Sequence, residues 1–164
     1  MQARLLNSRE IAPEVREFVF DVPEVRTLNF QPGQFVSFRG EFDGRPVTRA
    51  YSIASTPREN RFELCLNRVR EGIFSPWLFE MQPGQSVTMS GPLGYFVPRH
   101  PFRDAVLVAT GTGVAPFRAF LQSNAVLESG ARVTLLFGAR YEQGLLYRSE
   151  FEALAAARPG FVYL

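Results

Sequence analysis

Three short segments of the sequence carry residues able to do chemistry. The first is RAYSIAST, residues 49–56, which puts Arg49, Tyr51 and Ser52 on one strand-like run. A strand advances about 3.3 Å per residue, so Arg49 and Ser52 lie roughly 10 Å apart. Arginine pairs with phosphate, a tyrosine ring offers a stacking face, and a serine hydroxyl hydrogen-bonds a ring heteroatom. A flavin has these parts in this order: phosphate, ribityl chain, flat tricycle. Taken alone, the segment is explained at least as well by an exposed strand with a core tyrosine.

The second segment is GTGVAP, residues 111–116. It sits between an apolar strand and a helix. Gly111 and Gly113 allow a tight turn and close approach of a ligand to the backbone. Pro116 suits the first helical turn, and the helix then aims free N–H groups at the turn, which favours a pyrophosphate. A plain strand-to-helix connection is the alternative. The full G-x-G-x-x-G fingerprint is absent because Pro116 stands where the third glycine would be, and no Gly-Lys-Ser/Thr follows to make a P-loop. The third segment, EGIFSPWLFE at 71–80, offers Ser75 as an N-cap and Pro76 as the first helical residue. A short helix over about 75–81 is expected, its N-terminus with Gly72 suited to a second phosphate. A capped connecting helix without a ligand explains it equally.

The elements that must position these segments change character along the chain. EVREFVFDV, QFVSFRG, VTRAYSIAS, RFELCLNRV and QSVTMSG favour strand. QPGQ (31–34), FDGRP, QPGQ again (82–85) and GPLG separate them as turns. A small antiparallel barrel is expected, and the repeated QPGQ reads as recurring turn chemistry. Beyond His100-Pro101, DAVLVAT predicts a strand covered on both faces. APFRAFLQSNAVLESG predicts one helix with Phe117, Phe120, Leu121 and Leu127 on one side, closed by Gly130. RVTLLFGAR is a second strand, RSEFEALAAARPG a second helix, and FVYL a third strand. Strand–helix–strand–helix–strand is the order of a parallel sheet. The boundary is expected near 98–103, giving a barrel over 1–100 and an incomplete parallel-sheet domain over 101–164.

Composition removes several classes. Cys65 is the only cysteine, so there is no intrachain disulfide and no iron–sulfur cluster held by this chain alone. In its strand-like run a packed thiol is expected. One cysteine and one histidine, His100, make a His/Cys zinc cluster implausible and leave no Ser–His–Asp candidate better than chance. All the basic residues are arginine, scattered rather than striped, and the net charge is only +2, which disfavours nucleic acid. No apolar run is long enough for a bilayer and the N-terminus lacks a signal-peptide core, so a cytoplasmic protein is expected.

Together these segments resemble the ferredoxin–NADP⁺ reductase superfamily. Arg49, Tyr51 and Ser52 match its R-x-Y-S motif, and Gly72 and Ser75 its G-x-x-S motif. GPLGYF (91–96) is similar to the segment closing its flavin domain. GTGVAP matches its glycine-rich nucleotide loop, and FGAR (137–140) resembles the segment near its bound nucleotide. The resemblance implies a six-stranded antiparallel flavin-binding barrel followed by an incomplete Rossmann-like nucleotide domain. It implies that Arg49 contacts the flavin phosphates, that Tyr51 stacks on the ring, and that Ser52 sits near flavin N5, the latter two at the catalytic centre. Ile53 to Thr56 would line the ring and ribityl region, and Gly111, Thr112 and Gly113 would cradle the nucleotide pyrophosphate. Gly72 with Ser75 implies FAD rather than FMN. The implied reaction is hydride transfer from NAD(P)H to FAD, then single electrons to a separate ferredoxin-like carrier, with no acid or base from the chain needed for the hydride step. The family's Ser-Arg-type segment and its closing glycine motif, often Cys-Gly, are absent from this sequence. A fragment of a longer reductase, or a flavin-binding module without pyridine-nucleotide turnover, is therefore expected as the alternative, and the apolar third strand is expected to invite self-association at the sheet edge. A flavin-free structural protein is the remaining reading.

Overall fold

The computed structural model describes all residues, 1–164. Its first half is a six-stranded antiparallel sheet built from β1 (Gln2–Ala12), β2 (Val15–Asp21), β3 (Phe35–Phe42), β4 (Arg45–Ser52), β5 (Arg61–Asn67) and β6 (Ser86–Leu93). The spatial order is β4-β3-β6-β1-β2-β5. The sheet curls like a barrel without closing its ladder. Its edges are tied just past β4 by the Ile53–Leu64 bridge and by the hydrogen bond from Ala54 N–H to the Glu63 carbonyl, 2.8 Å. The inward face is aromatic: Phe18, Phe20, Phe38 and Phe62 are fully or almost fully buried, with the Phe20 ring 5.1 Å from Phe38 and 5.6 Å from Phe62. Helix α1 (Phe74–Glu80) covers one end through Phe74, Leu78 and Phe79.

Turn chemistry holds where it is expected. In both QPGQ tetrads the fourth residue's N–H donates to the first residue's carbonyl, at 3.1 Å in each, and the first residue's N–H donates to the last glutamine's Oε1. The glycines Gly33 and Gly84 take φ of +93° and +94°, the position that makes glycine necessary in such a turn. β1 is missing from the strand-like segments because its pattern is broken: bulges between Leu5 and Asn7 and between Glu10 and Ala12 interrupt the alternation.

The second half is a parallel sheet in the order β7-β8-β9, from β7 (Ala105–Thr110), β8 (Val133–Gly138) and β9 (Phe161–Tyr163). Helices α2 (Ala115–Leu121), α3 (Asn124–Leu127) and α4 (Arg148–Ala157) connect them. Two expectations are corrected by this half. The stretch expected as one helix is two, because Ser123 adopts an extended conformation (ψ 129°) and ends the first. The sheet is also covered on one face, not both: Leu107, Ala109, Leu135 and Phe137 are buried, while Val106 and Val108 are 63% and 65% exposed. Crossovers of one hand, run in the order β7, β8, β9, deliver their helices to the same side. That covered side continues into the barrel, since Ala12, Ala54 and Cys65 share its core.

Candidate functional site

A cleft of about 440 Å³ opens where the barrel meets the turn after β7. Arg49, Tyr51 and Ser52 line it from β4, Cys65 and Asn67 from β5, Gly72 to Ser75 from the approach to α1, and Thr112 and Gly113 from the far wall. Residues from the three motif segments, which lie far apart along the chain, thus share one wall-to-wall space. Asn67, Ile73 and Phe74 also face it; alternation along β5 from Cys65 is the one sequence signal for Asn67.

Arg49 is exposed and has no carboxylate within ion-pair distance; its Nη1 rests on the Thr48 carbonyl at 2.8 Å. Tyr51 is half-buried, backed by the rings of Phe38 at 5.8 Å and Phe74 at 6.4 Å. Burial pushes its phenol up to about 12, against the smaller opposing effect of Arg49. Burial likewise pushes the Cys65 thiol up to about 11. The cleft therefore presents a cation, a neutral phenol and a neutral thiol, and neither the phenol nor the thiol changes charge near neutral pH.

Ser75 is not the N-cap of α1. Ile73 holds that position without a side-chain cap, and Ser75 is buried inside the first turn, where its Oγ accepts the Val69 N–H at 2.9 Å. The hydroxyl closes the loop 69–75, which Gly72 tightens by donating its N–H to the Val69 carbonyl at 2.8 Å. A Cβ at Gly72 would lie 3.1 Å from that carbonyl. No group in the protein accepts the N–H of Ile73, Phe74 or Ser75, and these residues line the cleft.

The turn after β7 is a single 3₁₀ turn, Gly111–Val114, running into α2 with Pro116 in its first turn. Gly111 takes φ +52°, while Gly113 needs no special conformation; nothing lies within 4 Å of a Cβ at either. The two glycines look into different spaces. Gly113, with Thr112, faces the cleft just described. Gly111 faces a second cleft of about 520 Å³, lined also by Gly138, Ala139, Arg140 and Tyr141. This second cleft lies beyond the carboxyl ends of β7 and β8, where open parallel sheets take ligands. The 3₁₀ turn is thus a wall common to both.

Ile53 is not on the cleft. It is fully buried in the barrel core, one residue past the end of β4, and its N–H is taken by the Gln34 carbonyl at 2.9 Å. Ser55 and Thr56 face the seam between the two halves instead.

The residues present fit a flavin carrying a phosphate tail. An unpaired guanidinium, a backed aromatic face and a set of unclaimed amides converge on one open cleft. Comparison with known proteins agrees. The family of the oxidoreductase FAD-binding domain matches residues 2–97, and that of the oxidoreductase NAD-binding domain matches 107–164. Ferredoxin–NADP reductase B of Sorangium cellulosum is 41% identical over 157 residues, covering 94% of this chain and 64% of the relative. The toluate 1,2-dioxygenase electron transfer component of Pseudomonas putida is 31% identical, covering 99% of this chain and 48% of the relative. The crystal structure of a cytochrome P450 reductase from Amycolatopsis superposes with a TM-score of 0.87 at 29% identity, covering all of this chain and 51% of that one. The chain therefore spans between about half and two thirds of the length of these proteins. No helix in it is long and apolar enough to cross a membrane. With these two domain families matched in this order and similarity over most of its length, the chain belongs to the ferredoxin–NADP⁺ reductase superfamily.

Proposed function

We propose that this chain is the flavin-bearing part of an oxidoreductase that moves a hydride from NAD(P)H to FAD and then single electrons to a separate, ferredoxin-like carrier. Residues 1–100 would hold the flavin and 101–164 the pyridine nucleotide. The observation that carries the reading is the common wall: the β4 cleft and the cleft above β7 and β8 are both lined by residues of the Gly111–Val114 turn. The names of the relatives, a ferredoxin reductase and an electron transfer component, support the direction of flow.

Bound FAD supplies the hydride acceptor and the change from two-electron to one-electron steps. The chain's own residues orient and shield. Arg49 neutralises a phosphate, Tyr51 lays its ring along the flat ring system, and Ser52 offers its hydroxyl to the ring edge. The amides of Ile73, Phe74 and Ser75 complete the anion site that Gly72 and Ser75 shape. Gly111 and Gly113 leave room for backbone approach, and Arg140 offers a second cation to the nucleotide.

Incubating the purified chain with FAD and following NADPH and NADH oxidation with an artificial acceptor tests the reading. Oxidation supports it; a yellow protein that oxidises neither supports a binding module without turnover. Two further results are expected. Arg49→Ala weakens FAD about tenfold, the scale of one exposed charge-assisted hydrogen bond, and leaves riboflavin unaffected; equal losses in a titration of both ligands would remove Arg49 from the phosphate site. The single-turnover rate of flavin reduction is flat from about pH 6 to about pH 9, because the cleft's two titrating side chains keep their protons until about 11 for Cys65 and about 12 for Tyr51. A slope in that window would point to an acid or base outside the cleft.

A further inference from the structure

Arg118 stands on α2 one turn past Ala115, and its side chain is only 9% exposed. It turns into the seam between the two halves. Its Nη1 donates to Glu63 Oε2 at 2.6 Å and to the Ala54 carbonyl at 2.9 Å, and its Nε donates to Glu150 Oε2 at 2.8 Å. Glu17 Oε2, buried and without a hydrogen-bond partner, lies 3.7 Å away. The Tyr147 ring sits beneath the guanidinium, 4.2 Å from centroid to carbon. One turn on, Gln122 repeats the bridge: its Nε2 donates to Glu150 Oε1 at 2.9 Å, and its Oε1 accepts the Thr56 N–H at 3.3 Å.

These partners belong to β2, β5, α4 and the segment that continues β4. Ala54 is two residues past Ser52, and Arg118 is five past Gly113. One side chain therefore joins the segment that follows the strand carrying one wall of the β4 cleft to the helix that follows the turn carrying the other. Stability alone does not account for it. A well-packed apolar group fills a seam at least as well as a buried cation with three carboxylates, whereas a fork of fixed donors selects one register.

We propose that Arg118 is a positioning residue: it sets the spacing between the Tyr51–Ser52 wall and the Thr112–Gly113 wall, and so the approach of the nicotinamide to the flavin ring. The proposal rests on the hydride-transfer reading above. A displacement of about 1 Å between reacting groups lowers the rate by as much as about 10²-fold. A lysine keeps the charge but reaches fewer acceptors, and it releases the Ala54 carbonyl.

The test compares the wild-type chain with Arg118→Lys and Gln122→Ala, each loaded with FAD. Single-turnover flavin reduction by NAD(P)H, KM, FAD affinity and amide hydrogen exchange by mass spectrometry are measured. In Arg118→Lys, flavin reduction is expected to fall between about tenfold and about 10²-fold with KM and FAD affinity within about twofold. Exchange should rise in peptides covering 52–56 and 110–121 and stay unchanged in β1. Gln122→Ala should move the same quantities the same way by about threefold, one neutral hydrogen bond's worth, and it decides the matter if the lysine variant does not fold. Wild-type rate and wild-type exchange overturn the proposal, and so does a slowed rate that merely tracks lost FAD. If the wild-type chain itself oxidises no NAD(P)H, the hydride-transfer reading fails separately; the exchange data then decide the tie between the walls, unchanged exchange overturning it and coupled loosening of both segments supporting it.

Discussion

Gly33→Ala is expected to destabilise the protein by about 3–5 kcal/mol, and Gly84→Ala by only about 1–2 kcal/mol. The two glycines occupy the same position of the same tetrapeptide, QPGQ, with φ of +93° and +94° and matching hydrogen bonds. The backbone strain of an alanine is therefore common to both variants. Their surroundings differ. A Cβ at Gly33 would stand 2.0 Å from the Phe96 carbonyl oxygen and 2.4 Å from the Phe120 ring, while a Cβ at Gly84 meets nothing within 4 Å. The Phe96 carbonyl is main chain and cannot swing aside. Phe120 is buried on α2 and stacks on Phe96 with ring centroids 5.3 Å apart, so it has nowhere to go. Relief requires shifting the Phe96 segment or pushing α2 from the barrel, and the latter also disturbs the turn that lines the two clefts. Urea melts of both variants measure the difference directly. Equal losses would mean that the contact between the first QPGQ turn and the aromatic pair contributes nothing.

That pair of tetrads also shows what a sequence conceals. Both turns are legible as turns, because proline and glycine dictate backbone geometry locally. Which of them supports a second layer depends on Phe96 and Phe120, which lie more than sixty residues away. The same division runs through the rest of the molecule. The strands DAVLVAT and RVTLLFGAR, helix α4 and the nucleotide turn follow from local pattern. Arg49, Tyr51, Ser52, Gly72 and Ser75 are recognisable as one set and line one cleft, but the same cleft also takes Thr112 and Gly113, which the motif assigns to the nucleotide. The bare face of the parallel sheet is not legible, since an apolar run reads alike whether one face or both are covered. Ser75 reads as a helix cap because serine before proline usually is one; in the fold the Val69 amide claims its hydroxyl. Ile53 groups with its neighbours by motif, whereas in the fold it lies just past β4, bridged to Leu64 and fully buried in the barrel core. Arg118 leaves no signal at all. An arginine among alanine and phenylalanine on a helix reads as the solvent side, and only the convergence of Glu17, Glu63 and Glu150 from three other elements makes burial tolerable.

Tyr51→Ala is expected to weaken FAD between about tenfold and about 10²-fold, the equivalent of roughly 1–3 kcal/mol for one lost stacking platform. The ring is already held in place. Phe38 at 5.8 Å and Phe74 at 6.4 Å support it from the barrel side, tilted by 59° and 45°. Phe38 is itself fully buried and packed against Phe20. Little conformational freedom remains for Tyr51 to lose on binding, so the stacking gain is not spent on ordering the side chain. The phenol contributes less than the ring. With its proton retained up to about 12, it neither carries charge nor exchanges a proton in the working range. Tyr51→Phe should therefore keep FAD affinity within about threefold, a margin of one neutral hydrogen bond. Because Tyr51 also packs on the barrel core, melts of both variants without flavin are the control. A loss of affinity confined to Tyr51→Ala, in a chain that melts as a folded domain, assigns the effect to the stacking face. Unchanged affinity in Tyr51→Ala would remove the flavin from this cleft, and with it the part that the Thr112–Gly113 wall plays in bringing nicotinamide and flavin together.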